Sequence, residues 1–341
     1  MKDTSIRMAA TINICIRMVL GFVFMSGGTR RLIYEAGKLD PLSAGYNGIK
    51  LLQAAPGSAF GLGNIVEWLS MQQGLFQFSL IFYTWVELIF GLFLIIGFMT
   101  RFSAFVTLTL SVFLMLIFGW LGATCIDEWT MSSYSFAMGI AVFLAGSATL
   151  SVDNILMKKG FKITNHKWFP WLFSGDLKIN YTKWGVIGGI IAMVFTVGFY
   201  DYYRGGVYSK FTARTNPAIH RITITEANLD TKNQLLTFSS KIDAGPDTQA
   251  LYIINVSLIN TQTDKVVMNW DGKSLMNPEI TTITNLLIYS GYKFSSYGIE
   301  APLAAKAVIT LKGDFSNIDP EAHYKIKIMG IDGRNFFYEL K

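Results

Sequence analysis

The sequence predicts an all-α membrane bundle, made of four helices plus a fifth anchoring helix, followed by an exported all-β sandwich of immunoglobulin-like type. Three observations indicate this fold class. Only 15% of the 341 residues are charged, whereas an average soluble protein carries roughly 25%. Five apolar stretches, all before residue 201, approach the length that crosses about 30 Å of hydrocarbon. The residues after 201 instead contain short alternating patterns, typical of half-buried strands.

The five apolar stretches set the predicted domain boundaries. They run over about 8–29, 77–99, 102–122, 133–152 and 184–200. At residues 201–206 the composition changes to aromatic residues and glycines, which indicates an interface anchor and a linker. We therefore expect a four-helix membrane domain at 1–160, a basic cytoplasmic linker at 161–183, a fifth transmembrane helix at 184–200 and an exported domain at 201–341.

Lysine and arginine placement predicts the orientation, because cytoplasmic loops of membrane proteins retain positive charge. Basic residues precede the first stretch, occupy the turn after the second and fill the segment between the fourth and fifth: Lys2, Arg7, Arg101, Lys158, Lys159, Lys162, Lys167, Lys178 and Lys183. Five crossings would put these regions on one side. The chain is therefore expected to be a multi-pass protein of the cell (inner) membrane, with a cytoplasmic amino terminus and a periplasmic or extracellular carboxy-terminal domain.

The exported part is expected to be a sandwich because its strand patterns are short and numerous. Period-two alternation marks 221–225, 252–257 and 324–329, and further strands are expected near 234–241, 264–270, 302–312 and 334–340. Three dipeptides that end in glycine provide turns between them: Asp271-Gly272, Lys312-Gly313 and Asp332-Gly333. Seven or eight strands over about 135 residues are typical of an immunoglobulin-like fold.

Charge and cysteine content exclude several classes of function. The 29 basic and 23 acidic residues give a net charge of +6, and the excess is spread over both parts of the chain, unlike a nucleic-acid-binding surface. Two cysteines cannot build a four-thiolate zinc site or an iron–sulfur cluster. We therefore expect a lipid bilayer as a partner, and neither nucleic acid nor a metal. The sequence does not decide whether the protein forms a homo-oligomer.

Arg17 and Glu87 are the single charged residues of the first two apolar stretches. Ionisable side chains inside a bilayer are costly and usually face a partner or a cavity. Counted along the predicted spans at 1.5 Å per residue, the depths of the two residues differ by only about 5 Å, so the side chains are expected to meet. Such a pair would either lock two helices together or include a carboxylate that handles protons beside a quinone.

Cys125 follows the third apolar stretch in a polar segment flanked by Trp120 and Trp129. Arg30 and Arg31 are expected at the same membrane face, and nearby cations lower the pKa of a thiol. These arginines also suit an oxyanion, because a guanidinium presents a fork of donors, although lipid headgroups would use the same donors. Cys125 is therefore a candidate functional thiol or a packing residue, whereas Cys15, inside the first stretch, is expected to pack.

Several of these residues resemble a known family. The run Glu87-x-x-x-Gly91-Leu-Phe-Leu-Ile-Ile-Gly97-Phe-Met-Thr-Arg101-Phe-Ser-Ala104 resembles the second-helix signature of the DoxX/DoxD membrane family, and Arg17 and Gly27-Gly28-Thr29-Arg30-Arg31 also look like it. The stretch Gly119-Trp-Leu-Gly-Ala-Thr-Cys-Ile-Asp-Glu-Trp129 looks more specifically like DoxD. An anchor followed by an exported β domain, about 180–341, resembles DoxA. The chain thus resembles a fused DoxD–DoxA, the two subunits of thiosulfate:quinone oxidoreductase.

This resemblance implies oxidation of thiosulfate to tetrathionate, with transfer of electrons to a quinone of menaquinone or ubiquinone type. Cys125 and Glu87 would be catalytic, and Arg30, Arg31 and Trp129 would bind the substrate. Structural or proton-handling roles would go to Arg17, Arg101 and Asp127. Two alternatives are a non-enzymatic envelope protein that anchors or assembles a partner, and a quinone-linked oxidase of another sulfur compound or a thiol.

Overall fold

The computed structural model describes residues 8–122, 127–147, 149–316, 318–319 and 322–340. The chain divides into two compact units. The helical unit comprises the described parts of Met1–Gly48, Gln73–Trp120 and Ile126–Arg214, and the β unit those of Ile49–Gln72, Leu121–Cys125 and Thr215–Lys341. A segment between two helices of the first unit is therefore part of the second.

The helical unit contains four long helices and a fifth that packs along them. They are α1 Ile14–Thr29, α4 Gln73–Ile96, α5 Thr100–Phe118, α6 Asp127–Ala145 and α9 Tyr181–Arg204. The first four share one apolar core, formed by Leu20, Phe24, Leu94, Ala104, Leu110 and Val142. α9 packs on α6, where the rings of Phe136 and Phe195 stack with centroids 4.0 Å apart. Only two residues of α9, Gly188 and Tyr203, are buried, as expected for a lipid-facing anchor.

Three of these helices are long and apolar enough to cross a membrane: Gln73–Ile96, Thr100–Phe118 and Tyr181–Arg204. They correspond to the second, third and fifth predicted stretches, with shifted ends. The first and fourth stretches also form helices of the bundle, α1 and α6, but α1 has only 16 residues and α6 starts earlier than predicted, at Asp127. The helical bundle with an anchoring helix is therefore confirmed as an architecture.

Residues 161–183, expected to be a linker, fold against one end of the bundle. Short helices α7 Val152–Lys159 and α8 Phe169–Leu172 flank a 3₁₀ turn at Lys162–Asn165. Ser151 caps α7 by accepting a hydrogen bond from the Asn154 N–H, and Gly160 ends it in a left-handed conformation with φ of 64°. The basic residues of this segment are mostly exposed, while Phe169 and Phe173 are buried and stack on each other.

The β unit is a sandwich of two antiparallel sheets. Its strands are β1 Arg221–Asp230, β2 Leu235–Ala244, β3 Leu251–Asn260, β4 Val266–Asp271, β5 Thr281–Asn285, β6 Lys293–Ser295, β7 Gly298–Ala301, β8 Lys306–Lys312, β9 Tyr324–Gly330 and β10 Asn335–Glu339. One sheet has the order β1-β2-β8-β5, and the other β10-β9-β3-β7-β6 with β4 paired to β3. β9 is buried at every second residue, which is the alternation seen in the sequence.

All seven sequence-predicted strands are present, and β5, β6 and β7 are additional. The additional strands are only three to five residues long, too short for a clear period-two pattern. Gly333, with φ of 79°, forms the predicted turn between β9 and β10. Asp271-Gly272 instead begins the short helix α10 Gly272–Met276, because the Asp271 carboxylate accepts a hydrogen bond from the Ser274 N–H.

Helices α2 Asn47–Ala54 and α3 Leu62–Met71 link the two units along the chain. Residues 49–72, which contain most of both helices, are grouped with the sandwich. The connection between α1 and α4 is therefore part of the same compact unit as the β sandwich.

Candidate functional site

Two groups of buried polar side chains lie in the helical unit. We name them the Arg31–Glu87 cluster, which contains Arg31, Glu87 and Tyr83, and the Arg101–Asp153 cluster, which contains Arg17, Arg101, Asp153, Ser147 and Ser174. Both occur in a unit that is otherwise strongly apolar. Buried charges of this kind require partners, because an unpaired ion in an apolar environment is costly.

The Arg31–Glu87 cluster is centred on an ion pair between the Arg31 guanidinium and the Glu87 carboxylate. The Glu87 side chain is 7% exposed and that of Arg31 18%. The Arg31 Cζ also lies 5.7 Å from the centroid of the Tyr83 ring, within the range of a cation–π contact. Tyr83 and Glu87 are four residues apart on α4, so they project from the same face of that helix.

Several atoms of this cluster retain hydrogen-bonding capacity. Among the described residues, Arg31 Nε and the Tyr83 hydroxyl are buried without a hydrogen-bond partner. Buried polar groups in native proteins are nearly always satisfied, so such atoms indicate a place where a ligand or water binds. A guanidinium and a phenol could donate to an anionic or carbonyl oxygen, and the carboxylate could accept a proton. The donor set fits the oxygens of a quinone or of thiosulfate.

Local structure explains how the cluster is formed. After α1 the chain makes a π-helical turn at Arg30–Tyr34, a geometry often found at functional sites, and Arg31 extends from it. Glycines then allow α1 and α4 to approach closely: a Cβ on Gly28 would lie 2.8 Å from the Leu88 Cβ, and one on Gly21 2.7 Å from the Gly91 carbonyl oxygen. Gly27 borders the ion pair itself, since its Cβ would lie 3.4 Å from Glu87 Oε2.

The Arg101–Asp153 cluster connects the turn between α4 and α5 to the segment after α6. Asp153 accepts hydrogen bonds from the Met99 and Thr100 N–H groups at 2.9 and 3.1 Å and from the Ser174 hydroxyl at 2.8 Å. Burial raises the pKa of Asp153, and the hydrogen bonds from Thr100 and Ser174 oppose that rise. Arg101 donates to the carbonyls of Phe143, Pro170 and Leu144, so it stabilises backbone ends rather than a ligand.

The expected pairing of Arg17 with Glu87 is wrong. Arg17 instead donates to the Leu150 carbonyl at 3.0 Å and lies against Gly97, while Glu87 pairs with Arg31. The Arg17 guanidinium lies beside Gly97, ten residues beyond Glu87 along the chain, whereas Gly27 at the other end of α1 borders the Glu87 carboxylate. At 1.5 Å per helical residue, Arg17 and Glu87 are therefore about 15 Å apart along α4, and Arg31 is the arginine at the level of Glu87.

The other expected site residues are dispersed. Arg30 is exposed and pairs with Glu35 at 2.7 Å, and this hydrogen bond lowers the pKa of Glu35. Trp129 donates from its indole N–H to the Thr196 carbonyl at 3.2 Å and packs on Tyr200, so it faces the anchoring helix α9. Cys15 is exposed on the described part of the bundle, not packed in its core as expected. Cys125 lies outside the described residues, and so does the side chain of Asp127.

Asp153 and Tyr83 belong to these clusters but were not expected as site residues. Asp153 gave no signal beyond its position in the basic segment. Tyr83 could have been placed with Glu87, because Tyr83, Glu87 and Gly91 recur every four residues on one helix face. Arg31 was found, but with the role of a surface donor instead of the partner of Glu87.

The fold and the clusters define a membrane-associated protein that joins a helical domain with a buried ion pair to a β sandwich. The comparison with protein families agrees with this division. The family described as TQO small subunit DoxD matches residues 12–180, and the family described as TQO small subunit DoxA matches residues 203–339. The chain belongs to these two families, as a fused DoxD–DoxA polypeptide. Both are families of small subunits of TQO, thiosulfate:quinone oxidoreductase, which supports a role of that type.

Proposed function

We propose that this protein oxidises thiosulfate to tetrathionate and transfers the electrons to a membrane quinone. Two thiosulfate dianions lose two electrons and join through a new sulfur–sulfur bond. The quinone accepts the two electrons and two protons and becomes the quinol. One observation carries the proposal: a buried carboxylate, guanidinium and phenol lie together inside the part of the chain that matches DoxD.

Arg31 is the best candidate to bind the anionic substrate or a quinone oxygen. Its side chain is mostly buried, yet its Nε has no hydrogen-bond partner among the described residues. Desolvated guanidinium groups bind oxyanions more strongly than exposed ones. Arg30 is exposed and lies beside it in the chain, so it would attract dianions to the cluster and offset the repulsion between two of them.

Glu87 would accept or relay a proton during quinone reduction. The carboxylate lies in the apolar interior and pairs with the guanidinium that also faces the Tyr83 ring, a position from which a proton could reach a bound quinone oxygen. Arg17 and Arg101 make hydrogen bonds to backbone carbonyls at the other cluster. We therefore assign them to stability and not to proton transfer.

Cys125 would carry the sulfur chemistry. In this scheme its thiolate forms a sulfur–sulfur bond with one thiosulfate as two electrons pass to the quinone. A second thiosulfate attacks that bond, releases tetrathionate and restores the thiolate. No metal is required, because the quinone accepts the electron pair.

We also propose that the sandwich is exported and the amino terminus cytoplasmic, in the cell (inner) membrane. The positive charge of the segment between α6 and α9 supports this orientation. The grouping of residues 49–72 with the sandwich supports it too, since both then lie on the opposite side from that segment.

The decisive experiment is an assay of the purified protein with thiosulfate and a soluble quinone analogue. Quinol formation, with one tetrathionate per quinol, is the expected result. Cys125→Ser should abolish quinol formation, while the control Cys15→Ser should keep most of it, because serine is nearly the same size as cysteine and Cys15 is away from the cluster in sequence.

Two other results would redirect the assignment. Full turnover by Cys125→Ser would contradict the covalent scheme and leave direct electron transfer at the Arg31–Glu87 cluster. No quinol formation by the wild-type protein with thiosulfate, sulfide or thiols would reject the oxidoreductase and favour an envelope protein that anchors or assembles a partner.

A further inference from the structure

Residues 49–72 belong to the DoxD part of the sequence but to the β unit of the structure. This segment, which we name the docking segment, lies between α1 and α4 in the chain. Its carboxy-terminal end continues directly into α4, and residues 30–48, which include Arg31, connect its amino-terminal end to α1. Its contacts with the sandwich are of two kinds, apolar and ionic.

The apolar contacts form a small core shared by the docking segment and the sandwich. Leu52, Ala55 and Val66 of the segment pack with Leu287 and Ala304 of the sandwich, and all five side chains are less than 9% exposed. The turn Ala55–Gly57 also contacts β2. Apolar burial of this kind contributes roughly 25 cal/mol per Å² removed from water.

The ionic contacts fix the register of the segment. Glu67 of α3 pairs with Lys241 of β2, and their side chains are only 12% and 22% exposed. Lys50 pairs with Asp247 at 2.8 Å in a more exposed position. Val66 and Glu67 are adjacent residues of α3. The apolar core and the ion pair therefore both hold this helix against the sandwich.

We propose that the docking segment is the interaction surface through which the sandwich holds the helical domain, independently of the covalent linker after α9. The partner surface is a sandwich face that combines an apolar patch with a lysine. The sandwich would thus be the receptor for a loop of the DoxD part, and the same contact would join the two parts if they were separate chains. This inference concerns association only, so it does not depend on the proposed reaction.

The unit boundary between Arg214 and Thr215 provides a direct test, because Arg214 is exposed there. A protease recognition sequence is inserted between these residues in the full chain, and the detergent-solubilised protein is cleaved into fragments 1–214 and 215–341. We expect the two fragments to co-elute in size-exclusion chromatography. Separation of the wild-type fragments at micromolar concentration would overturn the proposal.

Charge reversal tests whether the docking segment is responsible for the association of the two fragments. Lys241→Glu places two carboxylates together and should weaken association of the fragments at least about 10-fold. The charge swap of Lys241→Glu with Glu67→Lys restores an attractive pair and should recover it. The matched control is Lys325→Glu, which makes the same charge change in the sandwich. Lys325 pairs with Asp264, whose side chain is 80% exposed, so this pair lies outside the docking contact and its loss should not affect association.

Each outcome of the variants has a definite meaning. Recovery by the charge swap separates a specific contact from misfolding of a single variant. Unchanged co-elution of Lys241→Glu would contradict the proposal, as would equal losses in Lys241→Glu and Lys325→Glu. Far-ultraviolet circular dichroism of fragment 215–341 after separation checks that the sandwich remains folded.

Discussion

Glu87 is the residue whose environment differs most from the expectation based on its position along the chain. Its partner is Arg31, which follows α1, and not Arg17, which stands near the start of that helix. The pairing places the carboxylate beside the guanidinium that also faces the Tyr83 ring, and it leaves Arg17 to bind a backbone carbonyl. At the scale of single residues, the two arginines therefore have different physical roles.

Glu87→Gln tests the ion pair. The change leaves the Arg31 guanidinium buried without a counter-ion, so we expect a loss of about 3–5 kcal/mol in the free energy of unfolding, the cost of removing one partner of a buried pair. Quinol formation should also fall, because an amide cannot accept the proton. Thermal unfolding in detergent and the quinone assay measure the two effects. The control is Glu35→Gln, whose exposed pairing with Arg30 should contribute little.

Double-mutant cycles distinguish the two arginines. Glu87→Gln and Arg31→Gln should be strongly non-additive, because they remove the same ion pair. Glu87→Gln and Arg17→Gln should be additive, because Arg17 contacts Leu150 and Gly97. A coupling between Arg17 and Glu87 above about 1 kcal/mol would contradict the observed pairing.

At the scale of elements, the contact between α1 and α4 decides the position of the cluster. Gly21, Gly28 and Gly91 allow the two backbones to approach closely. Larger residues would push the helices apart, and Arg31 would then lose contact with Glu87. The same contact explains why a helix of only 16 residues is held firmly in the bundle.

Gly28→Ala tests this contact. Its Cβ would lie 2.8 Å from the Leu88 Cβ and 2.9 Å from the Thr84 carbonyl oxygen, so we expect a loss of about 1–3 kcal/mol from overpacking. Gly198→Ala in α9 is the matched control, because no described atom lies within 4 Å of its Cβ beyond the helix's own backbone. It should stabilise the helix slightly. Equal melting temperatures of the two variants would contradict the close approach.

For the molecule as a whole, the docking segment belongs to the DoxD part of the chain and to the same compact unit as the sandwich. The α1–α4 connection is therefore a part of the β unit. We propose that both lie on the opposite side of the membrane from the basic residues in the segment before α9. The topology predicted from charge and the grouping of residues 49–72 are consistent with each other.

Reporter fusions test the orientation. A periplasmic phosphatase reporter fused after Lys341 should be active, and one inserted next to Lys167, in the basic segment, should be inactive. A reporter that is active only in the cytoplasm should give the opposite pattern, which is the control for expression. Activity of the cytoplasmic reporter after Lys341 would contradict the export of the sandwich.

The sequence by itself determined the division into an apolar helical part and a β part and the seven predicted strands, and it indicated Arg31, Glu87 and Arg101 as candidate residues. These features follow from hydropathy, short periodicities and isolated charges, which are local properties of the chain. Only the tertiary structure decided which arginine Glu87 meets, that Asp153 binds the turn between α4 and α5, and that residues 49–72 pack with the sandwich. The physical reason is that these contacts depend on helix starts and on the register of packed surfaces, which small residues such as Gly28 set at long range.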